Sequence, residues 1–398
     1  MKTKFFLFYL LCFFTFSLNI ATAIEDKKTV CLNMIIKDES QVIVRCLSSV
    51  APLIDYWVIV DTGSTDNTQN IVKEYMETQG IPGELFERPW VNFAHNRNEA
   101  LALAKGKADY VLIIDADEVL SFPKGYTFPP LSKDHYYIDT HYAGTTYARN
   151  QLIKNKLDWK WIGVVHEVLV SSQDQTSDTL PNIANVVSTD GARSKDPLKF
   201  HKDAQLLEGA LKENPHDTRT VFYLAQSYRD AGELDQSIKN YQKRVDLGGW
   251  DQEVFWSLYQ IASLQQAQNL PSDTIVKSYL NAYQYRPSRI EPLYRLAHYY
   301  RLNNNYLLSY LVTDYALKIP QSDDLLFLES WMTDYGLLLE YSIAAYWIGK
   351  YDDALKSSQK LLANAALPEN ARQCVEKNLV FIYAKLGVRV PEKIANTQ

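Results

Sequence analysis

The chain has 398 residues, 46% hydrophobic and 22% charged, enough for two or three ordinary globular domains with sizeable cores. Its formal net charge is -6, so it lacks the strongly basic balance that nucleic-acid binding requires, and no nucleic-acid partner is expected. Aromatics reach 13%, yet most of the tyrosines fall in the C-terminal half, where a helical core accounts for them better than sugar stacking.

Residues 1–23 stand apart. Lys2 and Lys4 precede an apolar run from Phe5 to Ile20, and Ala21-Thr22-Ala23 offers a small-x-small site, the layout of a secretory signal peptide. Cleavage after Ala23 predicts export or residence in a secretory lumen. The alternative is a membrane anchor at residues 5–20, a run near the lower limit for spanning a bilayer. The absence of any Asn-x-Ser/Thr sequon weakly disfavours ordinary passage through a eukaryotic secretory pathway. Beyond the leader, Cys31, Cys46 and Cys374 show neither metal-ligand spacing nor a disulfide framework. They read as buried thiols, with a Cys31–Cys46 pair as the alternative if their elements pack together.

From Thr29 the chain alternates strand and helix signals. Thr29–Ile36, Tyr56–Val60 and Tyr110–Ile114 are apolar runs of strand length, and Gly83–Arg88 is a shorter one. Gln41–Val50, Asp66–Glu77 and Asn96–Ala104 read as helices, the second with Asp66 as N-cap. Runs apolar on both faces, separated by helices, predict a mostly parallel sheet between helix layers. Ligands bind beyond the carboxyl ends of such strands, so the segments to watch are 37–39, 61–66 and 115–118. Tyr136–Ile138, Thr145–Tyr147 and Trp161–Val170 predict further strands, partly antiparallel, and residues 171–200 read as polar loop.

After about Phe200 the pattern is helical. Phe222–Tyr228, Gly232, Ser237, Tyr241 and Gly249 have tetratricopeptide spacing: small or apolar residues where two helices cross, glycine at the turn and aromatics in the gaps. Leu293, Leu296, Ala297, Tyr300 and Ala316 repeat it, as do Tyr341, Ala345, Gly349, Tyr351 and Ala354. Residues 253–287 hold a degenerate copy, and a helix at 370–386 caps the stack. The predicted organisation is an α/β domain at 27–200 followed by an all-α tetratricopeptide-like repeat domain at 201–390.

The chemistry gathers after the strands. Asp115 and Asp117, one residue apart in extended chain, point the same way. They repel unless a cation lies between them, and a hard divalent ion would also hold a diphosphate. Asp61 is placed to accept hydrogen bonds from a base or ribose; a capped turn without ligand is the alternative. Arg97, near a helix N-terminus, suits a phosphate, and a surface salt bridge is its alternative.

Together Asn33–Glu39, Val58–Thr68, Asn96–Ala100 and Ile114–Glu118 resemble family 2 glycosyltransferases, which have the GT-A fold. Thr62 stands where the family has a second Asp. The resemblance covers about residues 29–120. It implies a nucleotide-diphosphate sugar donor and Mg2+ or Mn2+. Glu39 and Asp61 would lie near the nucleoside, Arg97 near a phosphate, and Asp115 and Asp117 on the metal, with Asn33, Asp115 and Trp161 counted among the donor-binding residues. The family inverts the anomeric centre, which requires a carboxylate base.

Trp159–Glu167 resembles segments of repeat-bearing family members. It predicts a strand ending in Glu167 as base and His166 as metal ligand or diphosphate contact, with Trp159 or Trp161 stacked on a sugar. Asp190 is the rival base and His201 the rival third metal ligand. Arg193, Lys195 and Lys199 read as solvated loop charges, with closure over the diphosphate as their alternative. The repeats suggest a peptide or protein acceptor, because solenoids present concave grooves; a glycan or lipid acceptor stays open. The competing reading is a repeat scaffold carrying an inactive α/β domain. A nucleotidyltransferase would need a glycine-rich basic loop where Lys37-Asp38-Glu39 stands.

Overall fold

Strands that are apolar on both faces need cover on both faces. In the computed structural model, which describes residues 27–173 and 175–391, β1 (Val30–Ile36), β2 (Tyr56–Asp61) and β4 (Tyr110–Ile113) meet that need between helices. The expected leader lies outside the described residues. Leu32, Met34 and Ile36 pack under α1 (Ile43–Val50) and α2 (Thr68–Thr78), with Ile43, Leu47, Val72 and Met76. The alternate residues Cys31, Val58, Val111 and Ile113 pack against Leu101 of α3 (Phe93–Leu103). Cys31 and Cys46 therefore fall on opposite faces of the sheet, and both are free buried thiols.

With β3 (Gly83–Glu87), the strands β3-β2-β1-β4 form a parallel half-sheet. Beyond it come β5 (Glu118–Ser121), β6 (His135–Tyr142), β7 (Thr145–Lys154), the hairpin β8 (Lys160–Ile162) and β9 (Val168–Val170), and β10 (Ser177–Val187). The order continues β4-β7-β6-β10-β5, with β7 antiparallel to both neighbours, β10 parallel to β6 and β5 antiparallel to β10.

Two expectations change here. The segment read as loop at 171–200 contains β10, a strand of the main sheet. Leu180, Ile183 and Asn185 are its buried residues, but Pro181-Asn182 interrupts the alternation, and the register shifts between Thr179 and Ala184. The strand expected at 161–170 is two short strands around a turn, with Gly163 and His166 both at positive φ.

The helical part runs α4 (Lys199–Glu213), α5 (Thr218–Asp230), α6 (Leu234–Leu247), α7 (Asp251–Ala267), α8 (Ser272–Tyr285), α9 (Glu291–Leu302), α10 (Tyr306–Ala316), α11 (Leu337–Trp347), α12 (Tyr351–Ala363) and α13 (Glu369–Leu386). Ala225, Ser237 and Tyr241 are fully buried where α5 crosses α6, as are Ala345 and Ala354 between α11 and α12. Gly232 turns the first of these pairs at φ 82, a left-handed conformation that side chains disfavour. Val375, Leu379 and Ile382 of α13 close the stack. Among the described residues no helix is long and apolar enough to cross a membrane.

A segment between α10 and α11 ties the halves together. Thr146 and Leu328 exchange two backbone hydrogen bonds of 2.7 Å, and Ala148 N–H donates to Leu325 O at 2.9 Å. Phe327 packs between Tyr147 of the sheet and Trp256 of α7, 5.3 and 5.0 Å between ring centroids. Arg289, fully buried, holds this segment by donating to the carbonyls of Leu326 and Phe327 at 3.0 and 2.8 Å, while pairing with Glu291 and Asp324.

Candidate active site

The polar segments that follow β1, β2 and β4 open into one cavity of about 1780 Å3, which continues along α5, α7 and α9 at Tyr223, Trp256 and Arg295. This is more than a single drug-sized ligand occupies, roughly 300–1,000 Å3.

The turns after β1 and β2 brace one another. Asp38 accepts from Thr65 N–H at 2.6 Å, and its own N–H donates to the Ser64 hydroxyl at 2.9 Å. Asp61 Oδ1 accepts from the N–H groups of Gly63 and Ser64, both at 2.9 Å, which fixes the second turn. Its Oδ2 is buried without a partner. Thr62, not Asp61, lines the cavity. The N-cap of α2 is Asn67 rather than the expected Asp66, which lies one residue earlier and accepts from Thr68 N–H, the first residue of the helix, at 3.0 Å.

The Asp-x-Asp pair splits into two environments. Burial alone would raise the Asp115 carboxyl, but Arg97, at 2.7 Å, and then Arg149, at 3.8 Å, outweigh it and hold Asp115 below its usual range. Asp117 has no such partner, and burial, followed by the charges of Asp115 and Glu118, pushes it up to about 6. Glu39 faces the same acidic group. It accepts from Ala192 N–H at 3.3 Å, yet burial and then the charges of Asp117 and Asp115 raise it to about 7. A Cβ at Gly191 would lie 2.7 Å from Asp117 Oδ2, so only glycine leaves that carboxylate its place.

Glu167 sits in the β8–β9 turn and lines the cavity. Its Oε2 is 3.7 Å from Arg97 Nε, its Oε1 is buried and unpartnered, and burial outweighs Arg97 to raise its carboxyl. Arg97 in turn lies over the Trp161 ring, 5.2 Å from its centroid. His166 stacks on Tyr223 of α5, 4.2 Å between centroids, and burial, then Arg219, lower it to about 3, so its ring is neutral.

Several expectations need correction. Asn33 points away from the cavity: its amide donates to Ala100 O at 2.8 Å and to Val58 O, binding α3 to the sheet. Asp190 does not line the cavity. Arg45 grips it with two bonds of 2.8 Å, and with Ser188 depresses its carboxyl far below the usual range, the opposite of what a base needs. Trp159 is core, with Nε1–H on Lys154 O and its ring against His135. His201 is half-exposed beside Glu233 and outside the cavity. His166 is not gathered with Asp115 and Asp117 into a three-ligand set; among the described residues no group of three His, Cys, Asp or Glu could hold a metal ion alone. Arg97 lines the cavity and pairs with Asp115 through Nη2, while its Nε has no hydrogen-bond partner.

Two loop cations expected in solvent face the cavity instead. Arg193 pairs with the buried Asp203 and lies over Phe93, and Lys199, lowered by burial and by Arg193, lines the wall beside it. Sequence reasoning also missed Arg149, which pairs with Glu118 as well as Asp115. A lone arginine in a strand carries no signal until β7 is known to run antiparallel to β4.

A divalent cation can be held by one or two carboxylates together with substrate phosphates and waters. Asp117 and Glu39, both raised first by burial and then by neighbouring like charge, fit that chemistry, because a cation would relieve the repulsion.

The sequence profile described as Glycosyl transferase family 2 matches residues 31–126. The chain is similar to an uncharacterized glycosyltransferase of Rickettsia conorii, 33% identical over 56% of this chain and 77% of that one. It is also similar to a TPR repeat-containing protein of Synechococcus elongatus, 27% identical over 68% of this chain and 71% of the other. Among solved structures it is similar to MamA, at a TM-score of 0.34 and 16% identity, over 46% of this chain and 92% of that one. With the strand–turn geometry above and the repeat helices behind it, the chain belongs to glycosyltransferase family 2 and carries a tetratricopeptide-like helical region.

Proposed function

We propose that the protein is an inverting, metal-dependent glycosyltransferase that moves a sugar from a nucleotide diphosphate to an acceptor lying along the concave face of the repeats. The observation that carries this is the sharing of one cavity by Asp117, Glu39, Glu167 and the α5–α9 surface.

In this reading the nucleoside lies over Thr62 and the turn fixed by Asp61. Asp117, with Asp115 or Glu39, would hold a divalent cation, which when bound would neutralise the donor diphosphate. Arg193 and Lys199 close the other side of the diphosphate. Glu167 takes the proton of the acceptor hydroxyl, whose oxygen attacks the anomeric carbon from the face opposite the diphosphate. The bond from that carbon to the diphosphate oxygen breaks, and the nucleotide diphosphate leaves with the electron pair. Burial that raises Glu167 suits a general base working near neutral pH. The groove favours an extended peptide or protein as acceptor. A cleaved leader at 1–23 is part of the same proposal and would place the enzyme in a compartment supplied with nucleotide sugar.

The test is melting temperature against UDP, GDP, ADP, CDP and dTDP, with and without MnCl2, because a ligand bound only to the folded state must raise it. A manganese-dependent rise with one nucleotide is expected. No rise with any of them, from folded protein, contradicts the reading and favours a binding scaffold.

A further inference from the structure

The turn between β8 and β9 belongs to the transferase domain, yet its outward anchors lie on the repeats. Val165 is buried among Ala204 and Leu207 of α4 and Leu224 of α5. The His166 ring stacks on Tyr223 with an interplanar angle of 11°. The His166 carbonyl accepts from Arg219, at 3.0 Å from Nη2 and 3.3 Å from Nε. Arg219 itself lies over the Tyr223 ring, 4.7 Å from its centroid, and donates to the Tyr223 hydroxyl at 3.3 Å.

His166 needs this support. It is a non-glycine residue at φ 54, a left-handed conformation that side chains rarely adopt unless their surroundings impose it. The next residue is Glu167. Its carboxylate meets Arg97 only at 3.7 Å and leaves one oxygen unpartnered, so the transferase side orients it loosely. The direction of that carboxylate is therefore set by the backbone of the turn, and the turn is set by α5.

We propose that Tyr223 and Arg219 of the first repeat are positioning residues for the transfer step, holding the His166 backbone in its left-handed conformation so that Glu167 faces the anomeric carbon. This rests on the assignment of Glu167 as base. Neither residue needs to touch the donor. Their role is to make the repeat domain a structural part of the reaction centre as well as a surface for the acceptor.

The experiment uses the full chain and takes water as the acceptor, measuring hydrolysis of UDP-glucose, UDP-N-acetylglucosamine and GDP-mannose with MnCl2. Variants are Tyr223→Leu, Tyr223→Phe, Arg219→Ala and Glu167→Gln, and amide hydrogen exchange is followed in parallel. For the sugar nucleotide that the native chain hydrolyses, Tyr223→Leu and Arg219→Ala are expected to lower kcat by about 10- to 100-fold, as misplacement of a reacting group does. KM for the nucleotide sugar stays within about twofold, the signature of an interaction felt only in the transition state. Exchange quickens at residues 163–168 but not in β1 or β4. Tyr223→Phe keeps the ring stack and rescues kcat.

Native kcat in Tyr223→Leu beside an inactive Glu167→Gln overturns this proposal alone. So does a loss of kcat accompanied by equal loss of donor binding and faster exchange throughout the sheet, which is simple unfolding. Native turnover in Glu167→Gln, or hydrolysis of none of the three nucleotides, overturns the transferase mechanism on which the proposal stands.

Discussion

Nη2 of Arg97 lies 2.7 Å from Oδ1 of Asp115. The first carboxylate of the Asp-x-Asp segment is thus balanced by protein charge, and the second, Asp117, is left raised to about 6. Two residues with the same side chain and one residue between them hold different offices: Asp115 fixes Arg97, and Asp117 has spare capacity for a cation.

Substitution should separate these offices. Asp117→Asn is expected to remove any manganese-dependent rise in melting temperature and to cut turnover by about 100-fold or more, several kcal/mol of charge stabilisation. Its own folding should hold, since a repulsive charge is lost. Asp115→Asn leaves Arg97 nearly buried without its closest partner and should cost about 3 kcal/mol of stability. Denaturant unfolding of the two variants checks the contrast; equal stability loss in both contradicts it.

Gly191→Ala tests the space beside Asp117. The added methyl would stand 2.7 Å from Oδ2 and 3.0 Å from Cβ of that aspartate, so the carboxylate must turn away. Weaker manganese binding by at least about tenfold is expected, the scale on which shifted ligand geometry acts. The backbone at Gly191 has φ -61, so alanine is free of strain there and the fold should be unaffected. Isothermal titration with MnCl2 in the presence of UDP or GDP, whichever shifts the native protein, reads the effect.

The acidic group also gives a pH dependence. Glu39 rises from an ordinary 4.5 to about 7 and Asp117 from 3.8 to about 6, in each case first by burial and then by neighbouring carboxylates. Between pH 4 and 7 the folded protein therefore keeps protons that the unfolded chain has released. Stability from these two groups falls as pH rises across that window and levels off above it. Melting temperature measured from pH 4.5 to 7.5 should decline more steeply in the native protein than in Glu39→Gln. Parallel curves would remove Glu39 from the acidic group.

Arg289 anchors the tie between the domains. Replacing it with Ala strands Glu291 in the core, leaves Asp324 with Arg286 as its remaining partner and frees the Leu326 and Phe327 carbonyls. A loss of about 3–5 kcal/mol is expected, the usual cost of removing one member of a buried ion pair. Chemical denaturation is the check, and a change below about 1 kcal/mol would contradict it.

The sequence was most readable where burial is two-sided. The runs of β1, β2 and β4 have to be apolar throughout, and the turns that follow them carry the polar residues. β10 was hidden because its interior holds Pro181-Asn182 and much of its length faces solvent, leaving only Leu180, Ile183 and Asn185 fully inside. The setting of Glu167 was hidden for another reason. Nothing in the residue His166 announces a left-handed backbone, since that conformation is imposed by Tyr223 and Arg219, more than fifty positions downstream. Asn33 misled because an asparagine within a strand looks alike whether its amide meets a ligand or, as here, two backbone carbonyls.

β4 is only four residues long and covers β7 at Leu152–Lys154 alone. Farther along the same edge, Thr146 and Ala148 would offer bare N–H and C=O groups were they not taken up by Leu325 and Leu328. An open strand edge is a template for pairing with other chains. The returning segment between α10 and α11 therefore acts as a selvedge, finishing a margin that the transferase half leaves raw. A version of this enzyme trimmed back to its catalytic half would have to lengthen β4 or find another strand before it could stay monodisperse.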